Sequence, residues 1–267
     1  MDLRKTFNSD EYNYDKSRPD YPKELFYDIF DYVKLSGNSN VLEIGIGTGQ
    51  ATLPFLNKGC NVTAVELGDK LSRYCAHKFS YFDKFNIINS DFIEADLPEK
   101  SFDLIYSATA FHWIPKHDGY AKIKSLLKPD GAVALFWNHP FVSNASDETN
   151  LASMAVYKKY RPNDKTPAEF DLSKYQEQIN ELKQYGFTNI KSKVYKRIRR
   201  LTSEEYISLI KTYSDHNALP EKVRKTFEKD MKKAIDDVGG VINIYDTIDL
   251  YLGGIHYEHR VQKSNPC

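Results

Sequence analysis

At 267 residues the chain has the length of one large domain or of a domain with a cap. Its 37 Lys and Arg balance 37 Asp and Glu, which excludes a general electrostatic pull toward nucleic acid or an anionic membrane. A hydrophobic content of 41% is that of an ordinary globular protein, and no apolar run nears the roughly 20 residues needed to span a bilayer. The polar start Met1-Asp2-Leu3-Arg4-Lys5 has no signal-like apolar stretch. Cys60, Cys75 and Cys267 are odd in number and far apart, with no C-x-x-C. They suggest neither a metal site nor a disulfide framework, and a reducing compartment. The expectation is a soluble cytoplasmic protein.

Residues 1–20 are polar and aromatic, with Tyr12, Tyr14 and Arg18-Pro19. Pro22 opens a helix through about Lys34, on which Leu25, Phe26, Ile29, Phe30 and Val33 recur at helical spacing. Strand-like runs follow at 41–45, 61–66, 85–89, 102–106 and 132–137, separated by helical segments near 49–57, 69–79 and 118–127. Near-continuous apolar strands alternating with helices argue for a parallel sheet covered on both faces. Residues 139–172 break this rhythm, with Pro140, Pro162, Pro167 and a short helical stretch near 150–160. Such an irregular insertion reads as a lid. A helix at 173–185, a strand within 187–200, helices at 203–212 and 220–236, and a last strand from 241–245 and 248–252 complete the chain. The organisation expected is a single domain: a core with an N-terminal cap segment over 1–138, a lid over 139–172, and 173–267 completing the sheet and the pocket.

The most informative stretch is Val41-Leu42-Glu43-Ile44-Gly45-Ile46-Gly47-Thr48-Gly49-Gln50. It reads as a buried strand, a tight glycine turn and a helix start, where backbone turns sharply and a ligand can approach. Glu66 ends the second apolar run, about 20 residues after the first glycine, a placement that suits a carboxylate accepting from ribose hydroxyls. Gln50 stands where G-x-G-x-x-G would place its final glycine, a departure from the dinucleotide pattern. Asn89-Ser90-Asp91-Phe92 follows the third strand, and Ser107-Ala108-Thr109-Ala110-Phe111-His112-Trp113 ends the fourth.

These segments, from about Tyr14 to Trp137, resemble the class I S-adenosylmethionine-dependent methyltransferase superfamily. The resemblance implies a Rossmann-like, doubly wound, mostly parallel seven-stranded sheet with an antiparallel last strand and helical lid elements. It implies that Gly45, Gly47 and Gly49 wrap the methionine half of S-adenosylmethionine, that Glu43 orders the loop, and that Glu66 with Leu67 meets the ribose. Asp91 and Phe92 would take the adenine, Ser107 would let backbone approach the cofactor amine, and Tyr14 would fold over the cleft. The Phe-His-Trp-Ile-Pro-x-His order is similar to a small-molecule branch that includes trans-aconitate methyltransferase.

On that footing the expected function is methyl transfer to a small-molecule acceptor by in-line displacement. His112 is the candidate general base, because histidine titrates near neutrality; the rival role is shaping the pocket. Tyr21, Trp113, Tyr213 and His216 are candidate acceptor contacts. The alternation Arg197-Ile198-Arg199-Arg200 is a solvated face or a selector of anionic substrate. Partners are a small molecule and no nucleic acid or membrane, with the chain a monomer or homodimer. The alternatives are a non-catalytic S-adenosylmethionine-binding protein and a nicotinamide oxidoreductase.

Overall fold

The computed structural model describes residues 11–162 and 169–255; the polar start at 1–10, Pro167 and Pro266-Cys267 lie outside them. Among the described residues a seven-stranded sheet has the order β3-β2-β1-β4-β5-β7-β6. Its strands are β1 (Asn40–Ile44), β2 (Asn61–Glu66), β3 (Phe85–Asn89), β4 (Phe102–Ala108), β5 (Leu127–Phe141), β6 (Thr188–Thr202) and β7 (Val241–Gly254). The pairings among β1 to β5 are parallel, and β7 runs antiparallel to both β5 and β6. This is the mostly parallel sheet with one reversed strand that the resemblance implied.

Period-two alternation explains the two faces. From β1, β4 and β5, Val41, Leu104, Tyr106, Ala134 and Phe136 enter one core with Leu25, Phe26 and Ile29 of α2 (Lys23–Val33), Phe55 of α3 (Leu53–Asn57) and Cys75 of α4 (Asp69–Lys78). Leu42, Ile44, Ile105, Val133 and Leu135 enter the other, against α5 (Lys116–Leu126) and α7 (Leu172–Gln184), through residues such as Tyr120, Ile123 and Leu182. A third cluster joins α6 (Glu148–Tyr160), α8 (Ser203–Ile210) and α10 (Glu221–Asp236) to the first residues of β7. A short helix, α9 (Ser214–Asn217), follows α8. Before them all, α1 (Glu11–Ser17) docks through Asn13, whose amide donates to the Ser208 carbonyl at 3.0 Å.

Three elements differ from the sequence expectation. The strand expected at 132–137 extends to Phe141, because antiparallel pairing with β7 continues to Phe141 opposite Tyr245. The last strand, expected from 241–245 and 248–252, runs on to Gly254. The helix expected from 49 begins at Leu53, after a turn that carries the glycines. β6 passes into α8 through a capping box in which the Thr202 hydroxyl accepts from Glu205 N and Glu205 accepts from Thr202 N.

Beyond the parallel strands, β5, β6 and β7 are tied by one carboxylate. Asp246, only 1% exposed, accepts from Arg197 Nε at 2.9 Å and from Arg199 Nε and Nη2 at 2.5 and 3.0 Å, and the Asn138 amide donates to it at 3.3 Å. Removing one member of a buried pair leaves the other uncompensated. Asp246→Asn is therefore expected to lower the unfolding free energy by about 3–5 kcal/mol, measured by denaturant titration with circular dichroism. A loss inside about 1 kcal/mol, the range of exposed pairs, would show that this cluster does not brace the sheet.

Candidate active site

The parallel strands β1 to β4 all end on one side of the sheet, where open α/β folds bind their ligands. The glycine turn lies there. Gly45 has φ +71°, and a Cβ added to it would stand 2.6 Å from Ala110 Cβ; Gly49 has φ +85°, and its Cβ would stand 2.5 Å from the Phe79 ring. Both positions therefore exclude a side chain. At Gly47 the demand is φ +60° alone, since a Cβ would meet nothing closer than Tyr14 at 3.9 Å.

Two carboxylates hold this turn. Glu66 accepts from Gly47 N at 3.0 Å and Gly68 N at 2.8 Å, so each oxygen secures the loop after a different strand. Glu43, 1% exposed, accepts from Thr52 Oγ1 at 2.6 Å and Tyr106 Oη at 2.7 Å. Burial pushes the Glu43 carboxyl up to about 7 against the lowering effect of those two hydroxyls. Glu66 is raised by burial as well, opposed by its backbone donors.

A cavity runs across these strand ends. Glu43, Gly45, Gly47, Glu66, Leu67, Ser90, Asp91 and Phe92 line one half. Arg18, Tyr21, Thr109, Trp113, Asn138, Pro140, Arg199 and Tyr213 line the other, and Tyr14, beside Gly47, lies between them. Tyr21 Oη and Thr109 Oγ1 share a 2.6 Å hydrogen bond, and Asn138 N donates to the same Oγ1 at 3.2 Å. Thr109 stands at φ +56°, a left-handed backbone that a β-branched residue rarely adopts, and one that clusters at functional sites.

Four of the sequence candidates do not line the cavity. Gly49 lies beneath it, packed toward Phe79. Ser107 is fully buried and donates to the Ile44 carbonyl at 2.9 Å, which fastens β4 to β1. His216 is buried in α9, with Nε2 2.9 Å from Glu228 Oε1; it borders a second cavity that shares Pro140 and Tyr213 with the first. His112 sits in the short 3₁₀ turn after β4 and is exposed as a residue. Its Nδ1 accepts from the Trp137 indole N–H at 3.1 Å. The neutral ring then carries its proton on Nε2, which leaves no bare nitrogen for a base. Loss of hydration lowers its pKa, and the neighbouring His139 adds to that.

Sequence reasoning did not assign Asn138 or Pro140 to the site, left Arg18 without a role of its own, and read Arg199 only within the 197–200 run, as a solvated face or a selector of anionic substrate. Only the arginine alternation before Leu201 carried a readable signal.

The raised Glu43 pKa has a consequence for stability. The folded chain holds this proton more tightly than the unfolded chain, whose carboxyl keeps its ordinary 4.5. Stability from this group is full below pH 4.5 and falls as pH rises through about 7. Compared with Glu43→Gln, the wild type is expected to lose on the order of 3 kcal/mol over that interval and little more above it. Unfolding measured from pH 4.5 to 8.5 on both proteins checks this, and a constant difference would refute it.

A family model described as a methyltransferase domain matches residues 42–135. An uncharacterized methyltransferase of Schizosaccharomyces pombe is 22% identical over 271 residues, covering 96% of both chains. One from a Geobacillus species is 34% identical over 125 residues, 43% of this chain and 58% of its own. The solved structure of a protein assigned as a type II methyltransferase from Anaeromyxobacter dehalogenans superposes with a TM-score of 0.65 at 18% identity, over 90% of this chain and 98% of that one. Haemonchus contortus phosphoethanolamine N-methyltransferase 2, in complex with phosphomonomethylethanolamine and S-adenosylhomocysteine, superposes with a TM-score of 0.55 at 14% identity, over 95% of this chain and 60% of that one. Residues 42–135, the glycine turn among them, are a methyltransferase domain, and the reversed β7 completes the sheet expected of a class I S-adenosylmethionine-dependent methyltransferase.

Proposed function

We propose that this enzyme methylates a small-molecule acceptor held in the half of the cavity that faces the glycine turn. The observation that carries this reading is the continuity of one cavity across the strand ends, with two unlike halves. The half with Glu43, Glu66 and Asp91 suits a cofactor that bears hydroxyls, amino groups and positive charge. The opposite half is walled by Arg18, Tyr21, Asn138, Arg199 and Tyr213, from segments far apart in the chain, a recess that suits a small molecule rather than a macromolecular surface.

When bound, S-adenosylmethionine supplies a methyl group on a positively charged sulfur, which leaves as a neutral thioether once an acceptor lone pair takes the methyl carbon. The protein's part is alignment, and positioning of this kind supplies roughly 7–11 kcal/mol in favourable cases. Gly45 lets the glycine turn lie directly against Ala110, since even a methyl at 45 would collide. The Tyr21–Thr109 bond fixes two walls of the acceptor half. Burial raises the Tyr21 phenol pKa, so it stays a neutral hydroxyl there.

Labelling a metabolite extract with isotopic cofactor tests the reading. The expected result is a labelled low-mass product; label confined to protein or nucleic acid, or cofactor binding with no labelled product, would count against it. Glu66→Ala should weaken S-adenosylmethionine and S-adenosylhomocysteine alike by at least about tenfold, or 1.4 kcal/mol, in calorimetry. An effect on one of them alone would move Glu66 from the shared ribose to the sulfur. His112→Gln should leave turnover within about threefold, whereas a base would cost about 10²–10⁴-fold.

A further inference from the structure

The acceptor half of the cavity carries more positive charge than the described residues neutralise. Arg199 reaches it from β6 and Arg18 from the residue after α1. Arg199 shares Asp246 with Arg197, so two guanidinium groups face one carboxylate. Arg18 has no carboxylate partner among the described residues. Its Nη2 donates to the Thr212 carbonyl at 2.9 Å, and its Nε, though buried, meets no acceptor. The carboxylates that line the cavity, Glu43, Glu66 and Asp91, belong to the cofactor half.

Both arginines are held in place. The Arg18 guanidinium carbon lies 4.8 Å from the Tyr14 ring centroid and 4.7 Å from that of Tyr213, and both rings line the same cavity. Stacking orients the fork without neutralising it. Arg199 is fixed by its two bonds to Asp246 and is 15% exposed. No described residue bonds to Nη1 of either arginine. A guanidinium does not lose its proton, so partial burial calls for an anion.

We propose that the methyl acceptor carries an anionic oxygen group, a carboxylate or a phosphate, that docks on Arg18 and Arg199 beside Tyr213. This rests on the methyl-transfer reading above and adds the chemistry of the acceptor. The opposed charges of the two halves also give the acceptor one orientation, because its anionic end is repelled by Glu66 and Asp91. A neutral analogue makes no ion pair with the two arginines and binds more weakly.

The test titrates protein saturated with S-adenosylhomocysteine with phenylacetate, phenylphosphate and phenylacetamide. Binding is read from tryptophan fluorescence, since Trp113 lines the cavity and Trp137 bonds to the turn that carries it. At least one anion is expected to bind at least about tenfold more tightly than the amide, and the better anion tells carboxylate from phosphate. Arg18→Met and Arg199→Met should each abolish the preference, with S-adenosylhomocysteine affinity within about twofold of wild type; a larger loss of that affinity in Arg18→Met would assign Arg18 to the cofactor's own carboxylate and overturn the proposal. Arg18→Met, outside the Asp246 cluster, keeps the test valid should Arg199→Met unfold. Arg200→Met, at an exposed position, should change nothing. Equal binding of all three probes, a preference that survives Arg18→Met, or one lost equally in Arg200→Met would overturn the proposal. In the extract assay, a labelled product without an anionic group would overturn it too while leaving methyl transfer intact.

Discussion

No side chain fits at positions 45 and 49. Ala110 and the Phe79 ring stand too close to each for even a methyl group, and the backbone there is left-handed. Everything at the strand ends follows from this exclusion. The chain leaves β1 close against the strand-four loop, which brings Gly47 N within reach of Glu66 and sets Thr52 over Glu43. Buried carboxyl groups then take the place of water in holding the turn, and Glu43 is protonated more readily for it.

The other wall of the cavity is built by different means. Its residues come from elements far apart in sequence, and strands rather than a loop motif bring them together. Pairing of β5 with β7 and of β7 with β6 sets Pro140, Asp246 and Arg197 side by side. Thr109 is held left-handed by hydrogen bonds to Tyr21 and Asn138, so the strain at that residue is offset by both neighbours.

That contrast explains what the sequence revealed. The β1 turn, Glu66 and Asp91 are legible because each follows its own strand at a local spacing, and parallel pairing brings the strand ends together automatically. The acceptor half has no such local code. Asn138 was read as lying just past the end of a strand that in fact continues to Phe141, an extension visible only through its partner β7. The positive φ of Thr109 has no signature in a threonine. His112 drew attention by residue type, yet the indole that occupies its Nδ1 comes from Trp137, 25 positions later. Arg199 was visible as one of three arginines, but nothing in the alternation tells which of them turns toward the cavity.

The walls of the cavity are not equally secured. β5, β6 and β7 are continuous with the sheet, so displacing them breaks a ladder of backbone hydrogen bonds. α1 buries none of its residues. It is retained by polar ties: Asn13 to the Ser208 carbonyl, Asp15 to Lys78 and Tyr74, and Arg18 to the Thr212 carbonyl. Segments with few buried apolar contacts open at the least free-energy cost. Of the walls described, α1 is therefore the one whose displacement costs least, since it breaks a few polar ties and uncovers no buried side chain of its own.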